Sequence, residues 1–303
     1  MKIGVAGTGA VGGYFGGLLK RAGNEVIFLA RGNNLERMRE NGLTIESDSE
    51  SFTVEATFTD CYEDFTDVDL LLFCVKSTST MEMAEKFTRV LKESCMIMTL
   101  QNGVDNEEFL ASVFGSGRIL SAAAYIQAGV TESGTVKQIG VPPKLVFGAL
   151  EEDLWERLSV IHELFNIANI EAYPTRDILK IKWKKLLWNV TFNPLTALIE
   201  AKVRAIYEDK GLKETAIKIC QEAIAVARAA GVEIEEDQYE TVMMQGQFAQ
   251  DHQTSMLQDK LKGKPLELES IAGYIVKKGK ELGVETPVLN TIYHLLNFQT
   301  RNV

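Results

Sequence analysis

Residues 2–13, Lys-Ile-Gly-Val-Ala-Gly-Thr-Gly-Ala-Val-Gly-Gly, restrict the fold of this chain more than any other stretch. A short apolar strand, Lys2–Ala6, runs straight into Gly7-x-Gly9-x-x-Gly12, and a helix-like segment, Tyr14–Arg21, follows. A diphosphate needs backbone N–H donors at close range, and side chains on the turn would block its approach. Gly7 permits the tight turn, Gly9 lets the backbone close on the anion, and Gly12 lets the helix pack on the strand with its positive end toward the phosphates. The pattern predicts the first βαβ unit of a Rossmann-type, dinucleotide-binding α/β domain, with Gly7, Thr8, Gly9, Ala10, Val11 and Gly12 against the cofactor.

The end of the second strand selects between the two nicotinamide dinucleotides, because an acid there accepts from a free ribose and repels a phosphate. Strand Glu25–Leu29 ends in Ala30-Arg31-Gly32-Asn33-Asn34, with no acid at the deciding place. Arg31 lies 19 residues after Gly12, and a guanidinium pairs with a 2′-phosphate in a fork geometry. NADP(H) is therefore expected rather than NAD(H).

At 303 residues and 46% apolar content the chain exceeds the usual size of one core, so two domains are expected. A net charge of −10 with no long basic run argues against nucleic acid as a partner. No apolar stretch is long enough to span a membrane, and the start enters the first strand directly, so a cytoplasmic location is expected. Cys61, Cys74, Cys95 and Cys220 lack metal-ligand spacing and read as buried thiols; with His162, His252 and His294 far apart, no metal site is expected.

Further strands are expected at Gly42–Glu46, Ser51–Ala56, Asp67–Lys76 and Cys95–Leu100, with helices at Ser79–Leu91 and from about Asn106. Arg118–Ala128, Gly134–Ile139 and Lys144–Gly148 suggest an antiparallel extension, and helix Leu154–Asn169 with strand Ile170–Pro174 closes a first domain, 1–174. Helical spacing dominates 175–303: Ile178–Leu198, Asp209–Ala230, Tyr239–Gln245, Leu266–Leu282 and Pro287–Phe298. The last starts on a Thr286-Pro287 capping signal, and Gly231 and Gly283 stand at helix ends. The second domain is thus expected to be all-helical.

Within the first of these helices, Lys185, Asn189 and Asn193 recur every four positions and so form one stripe. Burying an amine and two carboxamides without partners costs on the order of 1–3 kcal/mol each. Polar groups on an otherwise apolar helix point to a wet cleft, and Pro194 removes a helical hydrogen bond beside Asn193. Hydride delivery to a ketone builds negative charge on oxygen, which an ammonium can neutralise or protonate. Spacing alone does not choose among Lys182, Lys184 and Lys185. Lys76 and Asn102, each just after a parallel strand, stand where such sheets bind ligands.

With these motifs in hand, the chain resembles the ketopantoate reductases (2-dehydropantoate 2-reductases) over nearly its whole length. The resemblance rests on Gly7/Gly9/Gly12, Arg31, Lys76, Asn102-Gly103, the Lys185–Ala197 helix, Ser255-Met-Leu-Gln-Asp259 and Glu267-x-Glu269-x-Ile271-x-Gly273. It implies NADPH-dependent reduction of 2-dehydropantoate to pantoate, a step of pantothenate biosynthesis, with Lys185 and Glu267 in the catalytic positions. It further implies that Ser255 binds the substrate carboxylate, that Asn189 and Asn193 contact substrate hydroxyl or carboxylate groups, that Asn102 contacts substrate or cofactor, and that Lys76 contacts an anion of the cofactor. A small-molecule 2-oxo acid is the implied partner, and a homodimer is compatible with the chain. Val203 and Arg204 depart from the polar stretch frequent at that place in the family, which leaves a reductase of another 2-oxo acid as an alternative. A 3-hydroxyacid dehydrogenase with the same two domains is a second alternative, and a non-catalytic NADPH-binding regulator a third.

Overall fold

The structure, a computed structural model, describes residues 1–301. It divides into two compact units: residues 1–101 with 106–178, and residues 102–105 with 179–303.

The first unit is built on an eight-stranded sheet. Its strands are β1 (Lys2–Ala6), β2 (Glu25–Leu29), β5 (Thr57–Thr59), β6 (Leu70–Phe73), β7 (Met96–Thr99), β8 (Ile119–Tyr125), β11 (Lys144–Ala149) and β12 (Glu171–Pro174), in the order β12-β11-β8-β7-β6-β1-β2-β5. From β5 through β8 every pairing is parallel, and β11 turns antiparallel to β8. Leu70 and Leu72 enter one buried cluster and Leu71 and Phe73 another, so this strand is covered on both faces. That double coverage explains its unbroken apolar run. Helix α1 (Ala10–Arg21) follows the glycine turn and α2 (Gly32–Asn41) follows β2; α3 (Thr80–Phe87), α4 (Asn106–Phe114) and α5 (Trp155–Ile167) complete the unit's long helices.

A second, four-stranded sheet joins β3 (Leu43–Glu46), β4 (Ser51–Val54), β9 (Ala128–Glu132) and β10 (Thr135–Gln138) in the order β4-β3-β10-β9. The expected antiparallel extension is thereby corrected. Among the described residues only β11 and β8 pair that way in the main sheet, while β10 folds away to pair with β3 in parallel and with β9 antiparallel. The reason lies on α1: a methyl at Gly13 would come within 2.8 Å of Val136, one at Gly17 within 2.8 Å of Ile45, and one at Gly16 within 2.8 Å of Val5. Glycines on both faces allow this helix to lie between two sheets at close range.

Other expectations also shift. The run Asp67–Lys76 is a strand only over Leu70–Phe73, because the chain turns into a 3₁₀ segment at Ser77–Ser79. Helix α2 and strand β5 were not expected; only Leu35 and Met38 of α2 are buried, too few to give a helical pattern. Cys61 is exposed rather than buried, whereas Cys95 and Cys220 are buried. Ile178 belongs with the first unit, packed under Gly148 of β11, where a methyl would come within 2.9 Å of its Cβ.

The second unit contains α6 (Ile178–Ile199), α7 (Arg204–Glu208), α8 (Lys210–Ala229), α9 (Gln238–Phe248), α10 (Ser255–Leu261), α11 (Tyr274–Leu282) and α12 (Pro287–Arg301). Its core gathers Leu186, Leu187, Val190, Phe192 and Leu195 of α6 with Ile219 and Ala223 of α8, Ile275 of α11 and Leu289 of α12. Helix α6 turns these apolar residues into the core and carries Lys185, Asn189 and Asn193 along one stripe. Val104 joins this core, which is why the short segment 102–105 belongs with the helices. The expected helix Leu266–Leu282 begins instead with a π-helical turn, Glu269–Gly273. No helix among the described residues is long and apolar enough to cross a membrane.

Candidate functional site

In the first unit the glycine turn meets each demand of a diphosphate site. Gly7 has φ +97°, a conformation open to glycine. A methyl on Gly12 would overlap the Gly7 carbonyl oxygen, so the helix start can close on the turn only without a side chain. A methyl on Gly9 would meet no atom within 4 Å. The turn therefore needs no glycine there for its own packing, and the open face at the N-terminus of α1 suits an approaching anion. The residues present fit a dinucleotide.

Ala10 and Val11 begin α1. Thr8 is buried, and both its N–H and its hydroxyl donate to the Leu29 carbonyl, at 3.2 and 2.9 Å, so its side chain ties the turn to β2. Arg31 is the N-cap residue of α2 and is exposed, with no ion pair among the described residues. Lys76 caps the 3₁₀ segment after β6 and is partly buried. Gln101 supports this edge of the sheet: its amide donates to the Val75 carbonyl at 2.9 Å and to the Thr80 hydroxyl at 2.7 Å. Sequence reasoning missed it, since a single glutamine after a strand carries no spacing signal.

In the second unit the three lysines of α6 separate. Lys184 is exposed and Lys182 is 3% exposed, whereas Lys185 is partly buried and its Nζ donates to Asn102 Oδ1 at 3.0 Å. Burial, and after it the neighbouring positive charge of Lys182, push the Lys185 amine down to about 7, against an upward pull from the Glu267 carboxylate. Glu267 stands just ahead of the π-helical turn. Asn189 and Asn193 are buried on α6, at 9% and 1% exposure, and Asn193 Oδ1 meets no hydrogen-bond donor among the described residues. A buried acceptor in that state calls for a donor from outside the chain.

Ser255 is exposed at the first position of α10, and the residue before it, Thr254, is the cap. Thr254 Oγ1 accepts from Leu257 N at 3.3 Å and lies 2.8 Å from Thr196 Oγ1, whose hydroxyl reaches the Phe192 carbonyl at 2.7 Å. One consistent set of protons runs from Leu257 through both hydroxyls to Phe192. It fixes the start of α10 to the asparagine-bearing helix. A threonine preceding a short apolar helix is a readable cap signal. Val203 is fully buried, and Arg204 donates its backbone N–H to Gln250 and pairs with Asp251 at 2.7 Å, so this stretch braces the segment before Thr254.

A parallel sheet with an open glycine turn, and a helical unit that carries a desolvated amine, define the class of nicotinamide-dinucleotide oxidoreductases acting on CH–OH groups. The chain belongs to the ketopantoate reductase PanE/ApbA family: the family's model matches residues 3–152, and the model of its C-terminal part matches residues 177–300. A 2-dehydropantoate 2-reductase of Archaeoglobus fulgidus is 30% identical over 97% of this chain and 96% of its own length. One from Nostoc sp. is 27% identical, over 98% of this chain and 94% of its own. Among solved structures, a 2-dehydropantoate 2-reductase from Geobacter metallireducens is 30% identical with a TM-score of 0.92, covering 99% of this chain and all of that one. A D-mandelate dehydrogenase solved with NADH and anilino(oxo)acetate has a TM-score of 0.92 over 100% of this chain and 99% of its own, at 22% identity, a likeness of fold alone.

Proposed function

We propose that the protein reduces 2-dehydropantoate to pantoate with NADPH, within pantothenate biosynthesis. The observation that carries this reading is the Lys185 amine, oriented by Asn102 at 3.0 Å and held to about 7. An acid with that pKa is half protonated near neutral pH and gives up its proton readily.

When bound, the nicotinamide supplies the hydride that the ketone carbon takes up. The ketone oxygen gains electron density and takes a proton from Lys185 Nζ, leaving the amine neutral until solvent reprotonates it. Glu267 favours the charged amine and so keeps the acid loaded, while Lys182 and burial keep it weakly held. Asn193 Oδ1 offers an acceptor to a substrate hydroxyl, which a hydroxylated 2-oxo acid possesses and 2-oxoisovalerate lacks. Asn189 and Ser255 complete the polar contacts, Ser255 toward the carboxylate. Gly7, Thr8, Gly9, Ala10, Val11 and Gly12 would hold the diphosphate, Arg31 the 2′-phosphate and Lys76 a further anionic group.

A second reading has support from Val203 and Arg204, which stand where the family frequently carries polar contacts and are committed to bracing the chain. It keeps the reaction and replaces the substrate by another 2-oxo acid. NADPH oxidation against 2-dehydropantoate, 2-oxoisovalerate and 3-oxo acids separates the cases. Preference for 2-dehydropantoate by about 100-fold in kcat/KM is expected. Turnover of 3-oxo acids alone would refute both readings.

A further inference from the structure

Asn34 lies outside the machinery described so far. It occupies the first turn of α2, three residues beyond Arg31, and its carboxamide faces two ways. Nδ2 donates to the Thr8 carbonyl of the glycine turn at 3.2 Å, and Oδ1 accepts from Gly134 N at 2.8 Å, in the turn between β9 and β10. No other orientation of the amide satisfies both partners, since a carbonyl only accepts and an N–H only donates. Gly134 has φ +82°, so the turn that presents this N–H is itself shaped for glycine. Thr8 is held from behind by its two hydrogen bonds to Leu29. Neighbouring Asn33 donates to Ser133 Oγ at 2.8 Å and, among the described residues, has no side-chain hydrogen bond to the glycine turn.

From this geometry we infer that Asn34 is a positioning residue that sets the spacing between the glycine turn and Arg31, and thereby the preference for NADPH over NADH. A ligand that must engage two subsites at once gains from their fixed separation, because the second contact forms at high effective concentration. NADPH would engage both the turn and Arg31; NADH would engage the turn without the phosphate contact. Loosening the link between α2 and the turn therefore weakens the bridging ligand more than the other. The inference rests on the reading of Arg31 as the 2′-phosphate partner.

Equilibrium binding of NADPH and of NADH, followed by dihydronicotinamide fluorescence, tests it with wild type, Asn34→Ala, Arg31→Ala and the double variant. Loss of two hydrogen bonds corresponds to about a tenfold change. Asn34→Ala is expected to weaken NADPH about tenfold and NADH less than threefold, and to leave the ratio unchanged once Arg31 is already alanine, since the two would act as one unit. Asn33→Ala is expected to leave the ratio at the wild-type value. If Arg31→Ala does not alter the ratio, the phosphate reading falls and the inference falls with it. If Arg31→Ala collapses the ratio but Asn34→Ala weakens both dinucleotides equally, or neither, the role of Asn34 alone is refuted. Should the alanine variant fail to fold, Asn34→Ser carries the same expectations and the same refutation.

Discussion

Lys185→Met should make the enzyme nearly inactive and, near neutral pH, more stable. In the folded state the amine titrates near 7, against 10.5 for an ordinary lysine. Between those values the unfolded chain binds more protons than the folded one, so stability rises with pH across this window, by about 1.4 kcal/mol per unit at most. Below about 7 the whole cost of holding a charged amine in this site is present; above about 10.5 it has gone. The side chain is only partly buried, so solvent screening reduces the change expected between pH 6.5 and 9 to roughly 1–3 kcal/mol. Methionine carries no charge and loses this slope. Its absolute stability also reflects the lost attraction between the amine and the Glu267 carboxylate, so the pH dependence of the difference is the quantity to read. Urea unfolding of both proteins at half-unit steps from pH 6 to 9.5 gives it. Parallel stability profiles would refute the desolvated amine. In the same variant, turnover should fall roughly 100- to 10,000-fold, the range for a positioned acid, and wild-type reduction should decline above pH 7 as the ammonium deprotonates.

The glycine turn separates packing from binding. Gly9→Ala should fold like the parent, with its melting temperature within about 2 °C, and lose dinucleotide affinity by at least about tenfold, because its methyl meets only the space the ligand would use. Gly12→Ala should instead destabilise the fold by roughly 1–3 kcal/mol, since its methyl overlaps the Gly7 carbonyl; calorimetry of the ligand-free variants distinguishes the two. Thr196→Val breaks the hydroxyl chain to Thr254 and should cost about 1–3 kcal/mol in urea unfolding, with an increase in KM for the oxo acid as the start of α10 loosens. Arg31→Ala should reduce NADPH affinity at least about tenfold with NADH affinity unchanged, as read by fluorescence titration.

What was legible in the sequence was local. The central parallel strands announced themselves because both faces are buried, and the glycine turn through the left-handed backbone of Gly7 and the close approach at Gly12. Helix α2 and the pairing of the second sheet were not legible. The former buries only Leu35 and Met38, and the latter pairs β3 with β10 across some ninety residues of chain, a partnership no local pattern encodes. The π-helical turn ahead of α11 was not legible either, since the run Glu-Ser-Ile-Ala-Gly carries no signal that separates it from an ordinary helix. Asn34 carries no spacing signal in the sequence, yet in the fold it links three segments.

The stripe of Lys185, Asn189 and Asn193 follows from helical periodicity, and so the sequence by itself determined that an amine and two amides share one face of a central helix. Which of the three lysines meets Asn102 with a lowered pKa was decided by tertiary structure. Lys182 is a helix neighbour, but only tertiary folding brings Asn102 to 3.0 Å from Lys185, sets Glu267 in its field and partly strips water from it. A hydrogen-bonding pattern along a helix is a property of neighbours in the chain; a shifted pKa belongs to charges and surfaces far apart in the chain, and it exists only once they meet.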